Sequence, residues 1–516
     1  MKYFLYGPSG SGKSTLGKLL AERWNLTWID LDQKIEQDAN QSIESIFQQR
    51  GEASFRELES TLLRRLLNTD QSMVVSLGGG ALLAEVNRQA ALREGQVLVL
   101  SAQPDTLLAR LSADQNQRPL LQGDARQRLT DLLARRGDHY RSFGDPVVTD
   151  GLPPEAFLRE LQVRFGRFRV TGMGNPYDAL IGKGTFDRLG ALLNERNLNG
   201  SAVVVCDANV EPLYSHQILT LLADAGIGVS KIILPAGEVH KTFQTVSSLW
   251  ESFVMFGLDR KGMVVALGGG VIGDLAGFAA ATYMRGVPWI NLPTTLLSMV
   301  DSSLGGKTGA DLPQGKNLIG AFHAPSLVLS DPAVLQTLPA AELQNGMAET
   351  IKHGVVADPQ LFRQCKNTLQ SGVSEIAGLI SRAVAVKVEV IEADPLEKGR
   401  RQALNFGHTV GHGIEKASGY ALAHGAAVAI GMVVETRLAE SLGICAKGLA
   451  DEIAGTLSSC QLPVVVPSSI SREDIFSAMQ FDKKRSAGQI HFALPEAIGS
   501  VHTGVVVEDW QKRIEF

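Results

Sequence analysis

The sequence predicts an α/β chain: one parallel-sheet layer, a second α/β layer after it, and a mostly helical region at the end. Three observations carry that prediction. Short apolar runs alternate with helical stretches over the first 150 or so residues. The pattern halts at TDGLPPEAF (149–157), where Gly and paired Pro punctuate the chain, and restarts near Tyr177. From about residue 340, long helical patterns replace the strands. A length of 516 residues also exceeds what one hydrophobic core usually serves.

In chain order, 3–6 (YFLY) predicts a buried strand and 14–23 a helix. Strands follow at 73–77 (MVVSL) and 97–100 (VLVL), with a helical pattern at 54–67 and another from 154 to about 165. The second layer predicts strands at 202–206, 231–234, 263–267 and 327–330. Helical patterns then run through 341–355, 373–392, 404–416 and 425–442. The expected division is 1–162 and 163–516, the latter splitting into an α/β half (163–335) and a helical half (336–516).

Composition excludes several classes. An apolar share of 44% and a charged share of 20% are ordinary for a globular protein. A net charge of −5 gives no footprint for nucleic acid or an anionic membrane. The four cysteines are scattered with no CxxC pair, which argues against a disulfide framework or a thiolate zinc site and fits a reducing compartment. The apolar stretch before the first glycine is too short for a signal-peptide core, and no 18-residue apolar run occurs. A soluble cytoplasmic protein is expected.

The string GPSGSGKS at 7–14 fits G-x-x-x-x-G-K-[ST] after a strand and before a helix. Its glycines let backbone N–H groups curl around phosphate, Lys13 reaches the β/γ oxygens, and Ser14 offers a hydroxyl to Mg²⁺. A P-loop unit binding ATP through Gly10, Ser11, Gly12, Lys13, Ser14 and Thr15 is therefore expected. Asp30 and Asp32 (WIDLD) are expected to end a second strand and approach the γ-phosphate. Downstream come Arg56, the triple glycine of SLGGGA (76–81), Arg118 beside a proline, and Arg136. Two separated arginines suit a carboxylate-bearing substrate, although any one arginine is more often surface than site. An arginine beside a proline suits a lid closing over ATP.

In that order these motifs resemble shikimate kinase across nearly all of residues 1–160. The resemblance implies that Asp32, Arg56, Gly79 and Arg136 hold shikimate. Asp32 would position the 3-hydroxyl and the two arginines the carboxylate. It also implies that Arg118 is the lid arginine and that Arg110 lies against the adenine.

The second region gathers most of the histidines. His408 and His412 (LNFGHTVGHGIE) are four apart and share a helical face; His424 follows in LAHG. GMAETIKHG places Glu349, Lys352 and His353 on one helical turn. One Glu with two His and no thiolate suits a catalytic zinc with an open position. GGGVIGD (268–274) after a strand is a Rossmann-like glycine loop whose helix N-terminus faces a pyrophosphate, although it departs from G-x-G-x-x-G. With it stand Asp207 and Asn209, GEVHK (237–241), Arg285, PTT (293–295), MVDSSLGGKTG (299–309) and GKNLIG (315–320).

Those strings resemble 3-dehydroquinate synthase over essentially all of residues 170–516. The resemblance implies that Glu349, His408 and His424 bind Zn²⁺ (or Co²⁺), with His412 a hydrogen-bonding group one turn on. It implies an NAD⁺ site at Asp207, Asn209, Glu238, Lys241, Gly270, Val271, Asp274, Thr294, Thr295, Lys307, Lys316 and Asn317. Arg285, Asp301, Lys307, Lys316, Lys352, Arg401, Asn405 and Lys484 (with Lys483 beside it) would surround the substrate, a phosphorylated seven-carbon keto acid. The implied chemistry is transient oxidation by NAD⁺ at a metal-bound hydroxyl, phosphate elimination, reduction back and ring closure.

The expectation is a bifunctional enzyme of chorismate biosynthesis acting on small molecules, with neither nucleic acid nor membrane as partner. The synthase product is not the kinase substrate, so direct hand-over between the sites is not expected. Family habit implies a homodimer through the synthase half. The alternatives are that one half is a non-catalytic module, or that a related sugar-phosphate cyclase replaces the synthase.

Overall fold

The computed structural model describes residues 1–113, 124–366, 373–397, 399–483 and 489–516. The chain divides into two compact units, Met1–Phe165 and Gly166–Phe516.

The first unit runs β1 (Lys2–Tyr6), α1 (Lys13–Trp24), β2 (Thr27–Asp30), α2 (Leu31–Ala39), α3 (Ile43–Leu67), β3 (Met73–Ser76). It continues through α4 (Glu85–Glu94), β4 (Gly95–Ser101), α5 (Pro104–Ala113), α6 (Ala125–Arg141), β5 (Val147–Val148) and α7 (Leu158–Phe165). The strands form one sheet in the order β2-β3-β1-β4-β5, all parallel. A parallel sheet is buried on both faces, and β1 illustrates why its sequence is continuously apolar. Phe4 and Tyr6 face one core with Ile35, Phe55 and Leu63, while Tyr3 and Leu5 face the other with Leu20, Trp24 and Phe165.

The second unit opens with β6 (Arg167–Val170), β7 (Tyr177–Ile181), α8 (Leu189–Glu195), β8 (Ala202–Asp207), α9 (His216–Asp224), β9 (Val229–Leu234) and α10 (Phe243–Met255). Next are β10 (Met263–Gly268), α11 (Gly270–Thr282), β11 (Trp289–Pro293), β12 (Lys307–Leu312), β13 (Gly315–Phe322) and β14 (Leu327–Ser330). Its seven-stranded sheet has the order β6-β7-β14-β11-β10-β8-β9, with only β6–β7 antiparallel; β12 and β13 form a separate hairpin.

The helical half contains α12 (Ala340–Ala357), α13 (Pro359–Cys365), α14 (Val373–Ala393), α15 (His408–Ala417), α16 (His424–Ser441), α17 (Leu449–Ser459) and α18 (Arg472–Lys483). It ends with β15 (His491–Ala497), β16 (Ser500–Val506) and α19 (Trp510–Arg513). The β15–β16 hairpin packs Phe492 and Leu494 into the core of α15 and α16, in a region the sequence read as nearly strand-free. No helix among the described residues is long and apolar enough to cross a membrane.

Two expectations need correction. The pattern over 404–416 is not one helix: a 3₁₀ turn ends at Asn405, and Gly407 in left-handed backbone (φ 78°) starts α15 afresh at His408. Asp30 and Asp32 do not both end a strand. Asp30 ends β2 and its carboxylate accepts from the N–H groups of Asp32 and Gln33 (3.1 and 3.2 Å), so the chain turns into α2 and Asp32 sits in a helical first turn.

The approach of α15 to α16 depends on missing side chains. A Cβ on Gly431 would stand 2.0 Å from the Gly407 carbonyl oxygen and 2.9 Å from the Gly411 nitrogen. Gly431→Ala must therefore push the two helices apart. It is expected to cost about 1–3 kcal/mol in the second unit, read by calorimetry as a lower Tm for that unit's transition alone.

Candidate functional sites

In the first unit the phosphate loop leaves β1 at Gly7 and enters α1 at Lys13. Gly7, Gly10 and Gly12 have φ of 132°, 82° and 88°, conformations L side chains rarely adopt. The Lys13 ammonium folds onto the loop, donating to the carbonyls of Gly7 (2.9 Å) and Pro8 (2.7 Å). Ser14 Oγ donates to Asp30 Oδ2 at 2.5 Å. Arg110 on α5 donates to the Gly10 carbonyl (3.2 Å) and to Thr149, which ties the loop to the chain after β5. The P-loop is thereby braced from two sides.

One cavity of about 610 Å³ collects Lys13, Ser14, Thr15, Asp30, Asp32, Arg56, Gly79, Arg110 and Arg136. The triple glycine makes this possible. A Cβ at Gly78 would meet Asp32 Oδ1 at 2.7 Å, and one at Gly80 would meet the Arg56 guanidinium at 2.7 Å. The Gly79 carbonyl accepts from Arg136 (3.1 Å) and Tyr140 (2.7 Å). Arg56 is held by Glu59 at 2.7 Å, and Glu59 is 1% exposed. Burial pushes the Glu59 carboxyl up, while the Arg56 guanidinium pulls it down. Sequence reading missed Glu59; its signal was its place three residues after Arg56 on one helix. Arg118 lies outside the described residues.

In the second unit, β10 runs directly into α11 at the glycine run. A Cβ on Gly269 would meet Thr295 Cγ2 at 3.0 Å, and one on Gly270 Ser302 Oγ at 3.0 Å, so the run is fitted tightly where the helix N-terminus opens. Val271 lies in the first turn and packs partly against the sheet core, and Thr294, buried, donates its N–H to the Gly268 carbonyl. Lys241 is buried and bonds Asp274 (2.6 Å) and Asn317 Oδ1 (2.6 Å), with Glu238 at 3.9 Å. Burial pushes the Asp274 carboxyl up, with the Lys241 ammonium pulling against it. Asp207 at the end of β8 accepts from the Asn209 and Val210 N–H groups.

Three helices converge on the titratable cluster. Glu349 (α12), His408 (first residue of α15) and His424 (first residue of α16) bring one donor atom each within 4.8 Å of one another. Both imidazoles present Nε2 to Glu349 Oε1, at 3.4 and 3.5 Å. Their Nδ1 atoms face the Phe406 carbonyl (3.3 Å) and Glu415 Oε2 (3.2 Å). Glu349 is 1% exposed and paired with Lys352, and among the described residues neither of its oxygens has a hydrogen bond of proper geometry. Two Nε2 atoms converging on one buried carboxylate fit a divalent cation of zinc or cobalt type. His412 lies one turn on, half-exposed, its ring 5.1 Å from that of His408.

Around this cluster Asp301 pairs with Lys387 and stands 3.7 Å from His353, whose two buried ring nitrogens have no hydrogen-bond partner among the described residues. Against the cost of burial, the Lys387 ammonium and His353 hold the Asp301 carboxyl well below the usual range. Arg401, 2% exposed, donates to the Pro395 carbonyl (2.8 Å). Lys307 pairs with Glu397, whose backbone is left-handed (φ 59°). Arg285 stands exposed in left-handed backbone (φ 70°) after α11, and Asn405 is exposed before α15. Lys484 lies outside the described residues. Sequence reading missed Lys387, Glu397 and Glu415. The signal for Lys387 was a lone lysine within the valine-rich helical stretch VAVKVEV.

Known families match parts of both units. Family models match in three places: shikimate kinase over residues 9–164, the 3-dehydroquinate synthase N-terminal part over 231–345, and its C-terminal part over 346–485. A 3-dehydroquinate synthase of Symbiobacterium thermophilum is 45% identical over 332 residues, covering 63% of this chain and 92% of the relative. Among solved structures, the 2-epi-5-epi-valiolone synthase ValA of Streptomyces hygroscopicus subsp. jinggangensis 5008, with NAD⁺ and Zn²⁺ bound, matches at 30% identity and TM-score 0.60. It covers 67% of this chain and 97% of that one. A 2-deoxy-scyllo-inosose synthase shares the fold at 24% identity and TM-score 0.63, over 67% of this chain and 98% of that one.

The placement of His408 has a buried prop. Glu435 on α16 is fully buried and accepts from the N–H groups of Gly407 (2.7 Å) and Val410 (2.9 Å) at the start of α15. Burial pushes its carboxyl from 4.5 up to about 8, with the helix N–H groups pulling the other way. The native state then binds the extra proton, so this contribution is complete below the unfolded value and is lost as pH rises through the folded one. In Glu435→Gln the second unit's Tm, measured by calorimetry, is expected to fall less between pH 5 and 8 than in the parent chain (about the window between those two values). An equal or steeper fall would contradict the assignment.

Proposed function

We propose, for a chain that belongs to the 3-dehydroquinate synthase family and carries a shikimate kinase domain ahead of that region, a division of two chemistries between named residues. Residues 1–162 transfer the γ-phosphoryl group of ATP to the 3-hydroxyl of shikimate, and residues 163–516 convert the heptulosonate phosphate to 3-dehydroquinate. The observation that carries the kinase half is the single cavity joining Lys13 and Ser14 to Asp32, Arg56 and Arg136. Lys13 and the loop N–H groups hold the phosphates, Ser14 with Asp30 holds Mg²⁺, and Asp32 orients the hydroxyl. Arg56, fixed by Glu59, and Arg136 bind the carboxylate.

For the synthase half the carrying observation is the convergence of Glu349, His408 and His424. When bound, a zinc or cobalt ion supplies Lewis acidity there, and NAD⁺ in the glycine-run site supplies a hydride acceptor. Gly270, Val271, Asp274, Thr294, Thr295, Lys241, Asn317, Asp207, Asn209 and Glu238 hold the dinucleotide, with Lys307 and Lys316 at its edge toward the substrate. Lys307, Lys316, Lys352, Arg285, Arg401, Asn405, Lys387 and Lys484 answer the charge of a phosphorylated carboxylate. Asp301 and His412, each beside the metal cluster, hold and move protons at the reacting hydroxyls. A 3-dehydroquinate synthase at 45% identity supports this substrate over a valiolone-type cyclase at 30%.

The enzyme acts in the cytoplasm, where its free cysteines stay reduced, and as a homodimer through the synthase region, which sedimentation at low concentration tests.

Lys13→Ala is expected to abolish phosphoryl transfer and leave dehydroquinate formation near normal. Loss of both would mean that the halves are coupled. His408→Ala is expected to lower bound zinc and synthase turnover by at least tenfold while sparing the kinase. Unchanged zinc by metal analysis would refute the ligand assignment.

A further inference from the structure

A chain of alternating charges runs from the dinucleotide side of the second unit to the metal cluster. Asp274 pairs with Lys241 at 2.6 Å, and Lys241 lies 3.9 Å from Glu238. Lys316 lies 3.9 Å from that same Glu238 oxygen and 3.7 Å from Glu415 Oε1. Glu415 closes the series with its other oxygen, 3.2 Å from His424 Nδ1.

Lys316 is the crossing point. It rises from the β12–β13 hairpin between a carboxylate of the α/β half and one of the helical half. Its ammonium stands 4.7 Å over the ring of Tyr420. Tyr420 is held in left-handed backbone (φ 63°), its N–H bonded to the Glu415 carbonyl at 2.8 Å, so the last turn of α15 fixes both the acid and the ring. Glu415 is 7% exposed, so its charge is screened little.

We propose that Glu415 is a positioning residue that links metal affinity to dinucleotide binding through Lys316. The inference rests on the reading of Glu349, His408 and His424 as metal ligands. A carboxylate on Nδ1 fixes the His424 tautomer, turns Nε2 toward Glu349 and makes the imidazole a stronger donor. The Lys316 ammonium draws on that same carboxylate and weakens the effect. A dinucleotide pyrophosphate that engages Lys316 relieves the draw, so the metal binds more tightly. Reciprocity requires the metal to tighten dinucleotide binding by the same factor.

The test measures Zn²⁺ affinity by chelator competition on the full chain, with and without saturating NAD⁺ and with no substrate. The parent chain is expected to bind zinc at least about fivefold more tightly with NAD⁺. Glu415→Gln is expected to lose about 10–100-fold in zinc affinity and the NAD⁺ effect with it. Lys316→Met, on a solvent-facing hairpin, is expected to bind zinc without NAD⁺ as tightly as the parent does with it, and to gain nothing on NAD⁺ addition. It decides the question should Glu415→Gln not fold. The inference is overturned if the parent has no NAD⁺ effect, if Glu415→Gln matches the parent, or if Lys316→Met keeps the full effect. Glu349→Ala separates the two readings: zinc binding equal to the parent's sinks the ligand set itself.

Discussion

Glu349 is enclosed by protein with neither carboxylate oxygen properly hydrogen-bonded among the described residues, and the second unit is arranged around making that tolerable. A lone buried carboxylate costs several kcal/mol. Here it is met by Lys352 from its own helix and by two imidazoles from others, each at a helix start. Placing two helix starts at one carboxylate demands that α15 and α16 lie closer than side chains allow, and Gly407, Gly411 and Gly431 permit it. Glu435 then fixes the first turn of α15, and Glu415 fixes the ring of His424. Imidazole placement, helix packing and buried charge are therefore one constraint met by the same residues.

The first unit meets a related demand by similar means. A glycine-rich loop, two aspartates and three arginines must be brought together around one cavity. Gly7, Gly10 and Gly12 curl the loop in left-handed backbone, and Gly78 and Gly80 leave room for Asp32 and Arg56. In both units the absence of a Cβ decides how closely charge approaches charge. The buried acid Glu59 does for Arg56 what Glu415 does for His424: it takes a charged or polar head out of its many rotamers and aims it.

Much of this was legible in the chain. The glycine loop before a helix, the i, i+4 pair His408/His412 and the motif strings each carry their chemistry locally, because spacing along a regular element sets which side chains share a face. Partners distant in sequence were not legible. Lys387 lies 86 residues from Asp301, and Glu397 lies 90 from Lys307. A lone Lys or Glu in an apolar or loop segment reads as ordinary surface until the fold brings its opposite charge alongside. The helix boundary at Gly407 and the capping turn at Asp30 were misread for a related reason. Periodicity continues through a break that backbone conformation and a side-chain cap decide.

By itself the sequence determined the fold class, the two layers, the phosphate loop and the residue types of the Glu349, His408 and His424 cluster, since these follow from local pattern and composition. Only tertiary structure decided which carboxylate is buried, which nitrogen of each imidazole faces it, and which lysine stands between the two halves. Those are consequences of close packing among elements far apart in the chain, where distances of a few ångströms set the strength of every charge.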